Sequence, residues 1–316
     1  MLEGSDLMKR IVLCADGTWN VRDQVDKASN TRRPTNVTKV ARAVRPRASN
    51  GTDQAVFYHE GVGTAGGLDR YTGGAFGEGI EANIRELYRF LVYNYEPGDE
   101  LYFFGFRRGA FTVRTLAGLM NKVGLVQKDD DYYVPELYAC YEGSKGPGSP
   151  EWIKAFHNIK VPRPCPPIRF IGVWDTVGAL GAPGFLGQFL NKDKYKYHDV
   201  GLSPHIENAY HALAIDERRK PFQHKMDWRT RRCTGFEKAE RLGLEFDANY
   251  LQHFTPCFNS LLQDSMTTTY KALGQYVRPI GRQPVDGEAF HKSTIDRRNL
   301  AECNYHPENL EYFIAK

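Results

Sequence analysis

The segment Leu101-Tyr102-Phe103-Phe104-Gly105-Phe106-Arg107-Arg108-Gly109-Ala110-Phe111 constrains the fold more than any other. Its first half is almost wholly apolar and aromatic, as expected of a strand buried on both faces. Phe111, Leu116, Leu119 and Met120 then mark a helix. Between them, Gly105 and Gly109 flank Arg107 symmetrically. A G-x-S-x-G turn between a buried strand and a helix is the nucleophile elbow of α/β-hydrolases, where the sharp turn leaves no room for side chains at the two glycines. Here the centre is arginine. Its guanidinium has no proton to lose at working pH and offers no acceptor, so it cannot act as the nucleophile. From these residues alone the segment reads equally as a tight strand–helix turn.

The rest of the pattern alternates in the same way. Ile11–Ala15 and Ala55–Tyr58 read as strands. Ile84, Leu87, Tyr88, Leu91 and Val92 repeat as one face of a helix that Glu96-Pro97-Gly98-Asp99 ends. Ile168–Trp174 is a further buried strand, stopping at Asp175-Thr176-Val177-Gly178. Ile206, Ala209, Tyr210 and Leu213 fit a second amphipathic helix, and Glu237–Leu244 a short third one. The glycine-rich run 66–79 reads as a flexible stretch, and Asp129-Asp130-Asp131 as a solvated turn. Alternation of this kind predicts an α/β fold, a mostly parallel sheet with helices on both faces. We expect one domain over residues 8–316, with a Pro/Gly-rich surface excursion at about 143–167 and an irregular segment from about 275.

Composition narrows the function. The chain has 316 residues, with 42 Lys and Arg against 38 Asp and Glu, a net charge of +4. So small a surplus, spread along the chain, argues against binding nucleic acid by phosphate neutralisation. No apolar run approaches the roughly 18 residues of a membrane span. The six cysteines include no C-x-x-C pair and are expected to be reduced thiols. Asp16-Gly17-Thr18 after a strand is similar to a haloacid-dehalogenase signature, but Cys14 stands where that chemistry needs its nucleophilic aspartate. The glycines 61, 63, 66 and 67 are not a dinucleotide fingerprint, because no helix opens directly after them. Without a secretory signal the expected location is cytoplasmic, which export by a contractile apparatus would not alter.

Five segments taken in order resemble one family: Ala15-Asp16-Gly17-Thr18-Trp19-Asn20, Glu60-Gly61-Val62-Gly63-Thr64, the elbow, Gly172-Val173-Trp174-Asp175-Thr176-Val177-Gly178, and Ala212-Leu213-Ala214-Ile215-Asp216-Glu217-Arg218-Arg219. They look like the α/β-hydrolase domain family that includes type VI secretion phospholipase effectors. The likeness runs from about residue 9 to the C-terminus. The family elbow reads G-F-S-R-G-A, and this chain matches it everywhere except at the serine.

The resemblance implies an α/β-hydrolase-like fold and a serine lipase or phospholipase reaction through an acyl-enzyme. No cofactor or metal is implied. It also implies a lipid or other ester substrate and is open to peripheral membrane contact. Carried over by position, Arg107 stands at the nucleophile's place and Asp175 at the triad acid's. The Arg108 N–H, with that of Gly17 or Thr18, would form the oxyanion hole. The family's histidine loop, which follows the Asp216-Glu217-Arg218-Arg219 segment, has no counterpart. His198 precedes that segment and is a decoy, and His224, His253 and His291 remain as candidate bases. Two readings follow, an inactivated hydrolase or a pseudoenzyme that binds an anionic ligand such as a lipid phosphate through Arg107 and Arg108.

Overall fold

The computed structural model describes residues 8–17, 20–23, 25–26, 30–32, 34–61, 73–143, 145–176, 203–212, 239–247, 299 and 310–311. Five strands form one sheet: β1 (Arg10–Ala15), β4 (Gln54–His59), β5 (Glu100–Phe106), β6 (Ile168–Trp174) and β7 (Ala209–Ala212). Their order is β4-β1-β5-β6-β7, and every pairing is parallel. A small antiparallel ribbon, β2 (Val25–Asp26) and β3 (Thr31–Arg32), lies outside the sheet.

Strand periodicity divides the core into two layers. Ile11, Leu13, Leu101, Phe103, Ile171 and Val173 face one way, towards α2 (Gly73–Asn94) and α3 (Arg108–Val123). Val12, Cys14, Tyr102, Phe104 and Phe170 face the other, towards α1 (Asn36–Ala43) and the segment around Leu244. Helices therefore cover both faces, as the alternating pattern predicts. Because the sheet is parallel, the carboxyl ends of all its strands lie along one edge. Ala15, His59, Phe106, Trp174 and Ala212 are brought together there.

The structure corrects several expectations. Ala209–Ala212 is the strand β7, not an amphipathic helix, and Ile206 bridges to Ile168. The strand is only four residues long, too short for its period to be told from that of a helical turn. Part of the glycine run is helical, since α2 starts at Gly73. Glycine weakens a helix by about 1 kcal/mol per residue but still donates and accepts, so the helix extends back from its packed turns. The excursion at 143–167 contains α5 (Pro150–His157), started by the Ser149 N-cap with Pro150 behind it. The three aspartates open a 3₁₀ turn over Lys128–Tyr133, preceding α4 (Val134–Glu142), and Asp130 is buried, accepting the Lys160 N–H at 2.9 Å. Of the expected Glu237–Leu244 helix, residues 239–241 are helical, Leu242 and Gly243 form a turn and Leu244 is irregular, while residues 237 and 238 lie outside the described residues.

Candidate active site

The turn after β5 is built by its glycines. A β-carbon on Gly105 would lie 2.6 Å from the Ala110 Cα and 2.7 Å from the Gly109 carbonyl oxygen. One on Gly109 would lie 2.5 Å from the Asp16 carbonyl oxygen and closer still to that of Ala15. No side chain fits at either place, so α3 can start directly against the end of β1. Between them Arg107 has φ 51° and ψ −113°, a backbone conformation costly for any residue with a β-carbon. Its N–H donates to the Trp174 carbonyl at 2.9 Å, which ties the apex to β6. The guanidinium carbon lies 5.1 Å from the centroid of the Phe106 ring. Arg107 is also the N-cap of α3, and its side chain makes no capping hydrogen bond. Arginine has no acceptor with which to make one. Arg108 begins the helix and is buried, and its carbonyl accepts from the Thr112 hydroxyl at 2.9 Å.

The end of β1 is organised by side chains. Asp16 is buried, and four donors converge on its carboxylate. Oδ2 accepts from Thr35 Oγ1 at 2.5 Å, Tyr58 OH at 2.7 Å and Thr38 Oγ1 at 3.1 Å, and Oδ1 accepts from the Gly17 N–H at 2.7 Å. Burial pushes the carboxyl pKa above its usual value, and the four hydrogen bonds oppose that rise without cancelling it. The same surroundings raise the Tyr58 hydroxyl and the fully buried Cys14 thiol, burial being the larger cause in each and the Asp16 charge the next. Thr35 also caps α1, through its acceptance of the Thr38 N–H. One aspartate thus joins β1, β4 and α1 beside the elbow. The Gly17 N–H is committed to Asp16. The Gly17 carbonyl accepts from the Asn20 N–H at 2.9 Å, and the Asn20 carbonyl accepts from the Gly61 N–H at 3.1 Å.

Asp175 closes β6 with φ 41°, and its N–H donates to the Ala212 carbonyl at 2.9 Å. The next N–H, of Thr176, donates to Nε2 of His211 in β7 at 3.2 Å. Gly17, Arg107, Arg108 and Asp175 therefore meet along one sheet edge, with Gly105 and Gly109 packing the turn. Thr18, His198, His224, His253 and His291 lie outside the described residues. Sequence reasoning did not find the supporting residues Thr35, Thr38, Tyr58 and His211. The polar termini of apolar strands were the available signal for Asp16 and Tyr58. For His211 the apparent helical spacing hid it.

A five-stranded parallel sheet between two helical layers, turning sharply from β5 into a helix through a G-x-x-x-G elbow, defines an α/β domain of the hydrolase type. More narrowly, this chain belongs to the family of type VI secretion system phospholipase effectors, Tle1-like, catalytic domain, whose model matches residues 9–274. An uncharacterized protein of Saccharomyces cerevisiae is 26% identical over 290 residues, covering 81% of this chain and 38% of that one. Among solved structures, the Tle1 effector bound to the VgrG spike of the type 6 secretion system is 19% identical. It covers 71% of this chain and 49% of that chain, with a TM-score of 0.36. An uncharacterized protein from Pseudomonas aeruginosa is 16% identical, covering 72% and 38%, with a TM-score of 0.37. The chain spans under two fifths of the length of the yeast relative. Among the described residues no helix is long and apolar enough to cross a membrane.

Proposed function

We propose that this chain is a phospholipase-type hydrolase domain whose acyl-transfer chemistry is off because Arg107 occupies the elbow apex. One observation carries the reading: the apex keeps the strained φ 51° and ψ −113° backbone between two sterically required glycines, yet presents a guanidinium. Such strain persists only where the surroundings impose it, and it clusters at functional turns. The scaffold for a nucleophile is kept and the nucleophile is gone. With no hydroxyl to form the acyl-enzyme, turnover falls by something like 10⁶-fold, by analogy with triad dissection in proteases.

In the residual site, Asp175 holds the acid's position and the Arg108 N–H one place in the oxyanion hole. The second place belongs to the N–H of Gly17 or Thr18, and the Gly17 N–H already serves Asp16. The candidate bases are His224, His253 and His291. The test compares the protein with Arg107→Ser on p-nitrophenyl esters of short and long acyl chains. Activity gained by the variant supports a latent site awaiting only its hydroxyl. Two inert proteins mean that the base is lost as well, and fluorophosphonate-sensitive activity in the unmodified protein overturns the proposal.

A second reading rests on the guanidinium held over Phe106 at the start of the sixteen-residue helix α3. Both the charge and the helix terminus favour an anion there. An anionic lipid headgroup would gain a charge-assisted contact worth about 1.5–3 kcal/mol. Because Arg108 is buried, Arg107 is the residue that would make it. Cosedimentation with phosphatidylglycerol vesicles should weaken about tenfold or more in Arg107→Ala, and unchanged binding removes this reading.

A further inference from the structure

We infer that His211 is a positioning residue for Asp175, acting through an unprotonated Nε2 that holds the Thr176 amide and fixes the turn on which Asp175 stands. The inference rests on the reading of Asp175 as the acid of the site.

The argument begins with backbone hydrogen bonds. In β6 the ladder to β7 ends at Trp174, opposite Ala212. Asp175 then turns to φ 41°, a left-handed conformation that aspartate tolerates better than most residues but that still costs energy. The Asp175 N–H takes the Ala212 carbonyl. The Thr176 N–H, swung away by the turn, is in a buried residue and needs an acceptor of its own. His211 sits opposite Val173, on the α2–α3 side of the sheet, and is itself buried. Its Nε2 lies 3.2 Å from the Thr176 nitrogen and 3.2 Å from Thr176 Oγ1.

A backbone N–H can only donate, so the geometry fixes the ring's protonation. Nε2 carries no proton, and in a neutral ring the proton is therefore on Nδ1. Two consecutive residues of β7, through one carbonyl and one imidazole, thus hold the two consecutive amides of the Asp175–Thr176 turn. A serine or alanine at position 211 could not reach across the strand. A glutamine could, since its amide oxygen can stand near the place of Nε2.

The first readout is the long-range nitrogen–proton spectrum of ¹⁵N-histidine-labelled protein at neutral pH, with His211 assigned by its loss in His211→Gln. An Nε2 resonance of the unprotonated type beside a protonated Nδ1 is expected, and a protonated Nε2 overturns the inference. The second readout is hydrogen exchange at the Thr176 amide. His211→Leu should speed it by about three- to tenfold, the range of one hydrogen bond, with β1 amides unchanged, while His211→Gln stays within about twofold. Equal acceleration in both variants would mean a purely space-filling role and also overturns it. If His211→Leu does not fold, the spectrum and the glutamine variant still decide. In Arg107→Ser protein that turns over ester, His211→Leu should lower kcat about tenfold or more with KM unchanged, and glutamine should restore it. An inert Arg107→Ser counts against the catalytic reading of the site. The state of the ring nitrogens is decided separately.

Discussion

The ends of β5 and β1 touch, but they are specified in opposite ways. At the end of β5 the geometry comes from missing side chains: Gly105 and Gly109 let three backbone segments approach. At the end of β1 it comes from one side chain, Asp16, which collects four donors from three elements. On the proposed reading, this is how a site without its nucleophile keeps its form: the two glycines that shape the elbow are present whatever residue stands between them. A change at Asp16 would dismantle the frame around it.

Substitutions sharpen the contrast. The largest effect is expected at Gly109. Alanine usually stabilises a helix relative to glycine by about 1 kcal/mol. Here its methyl would strike the Ala15 and Asp16 carbonyls, so a loss of at least about 3 kcal/mol in denaturant titration is expected. A gain would show that the close approach is not needed.

Asp16→Asn comes next, at about 2 kcal/mol, because it faces donors with a donor and leaves hydroxyls unsatisfied. Its pH dependence has a definite sign. The folded carboxyl titrates above its ordinary 3.8, so its contribution is full below 3.8 and is lost as pH rises through the folded value. The stability gap between the protein and Asp16→Asn should therefore widen as the pH is lowered towards 3.8. A gap that narrows would mean the hydrogen bonds, not burial, set the titration.

Smaller effects belong to the apex. Arg107→Gly relieves the positive φ and should gain about 1 kcal/mol, read as a raised Tm. Arg107→Ser should change stability by no more than about 0.5 kcal/mol, since it keeps a β-carbon and alters no packed contact of the glycines. A large loss in either variant would mean that the guanidinium is structural.

The sequence showed the elbow and the parallel sheet well, because buried strands and paired glycines leave local marks. Leu101–Phe106 and Gly105/Gly109 could be read without neighbours. The convergence on Asp16 could not, since Thr35, Thr38 and Tyr58 lie 19 to 42 positions away and meet it only when α1 and β4 pack against β1. His211 was hidden for a different reason. β7 is only four residues long, and four residues cannot distinguish a strand from a helical turn. Sequence position placed Asp175 at a strand end, but its left-handed backbone, its tie to Ala212 and that of Thr176 to His211 are products of the fold.

The measurement that bears most directly on the central claim is hydrolysis of p-nitrophenyl esters by the unmodified protein, with fluorophosphonate labelling alongside. We expect a rate no greater than buffer and no covalent label. Turnover that fluorophosphonate abolishes, with the label mapped to a serine elsewhere in the chain, would contradict the account: the elbow at Arg107 would then not be where this protein's chemistry resides.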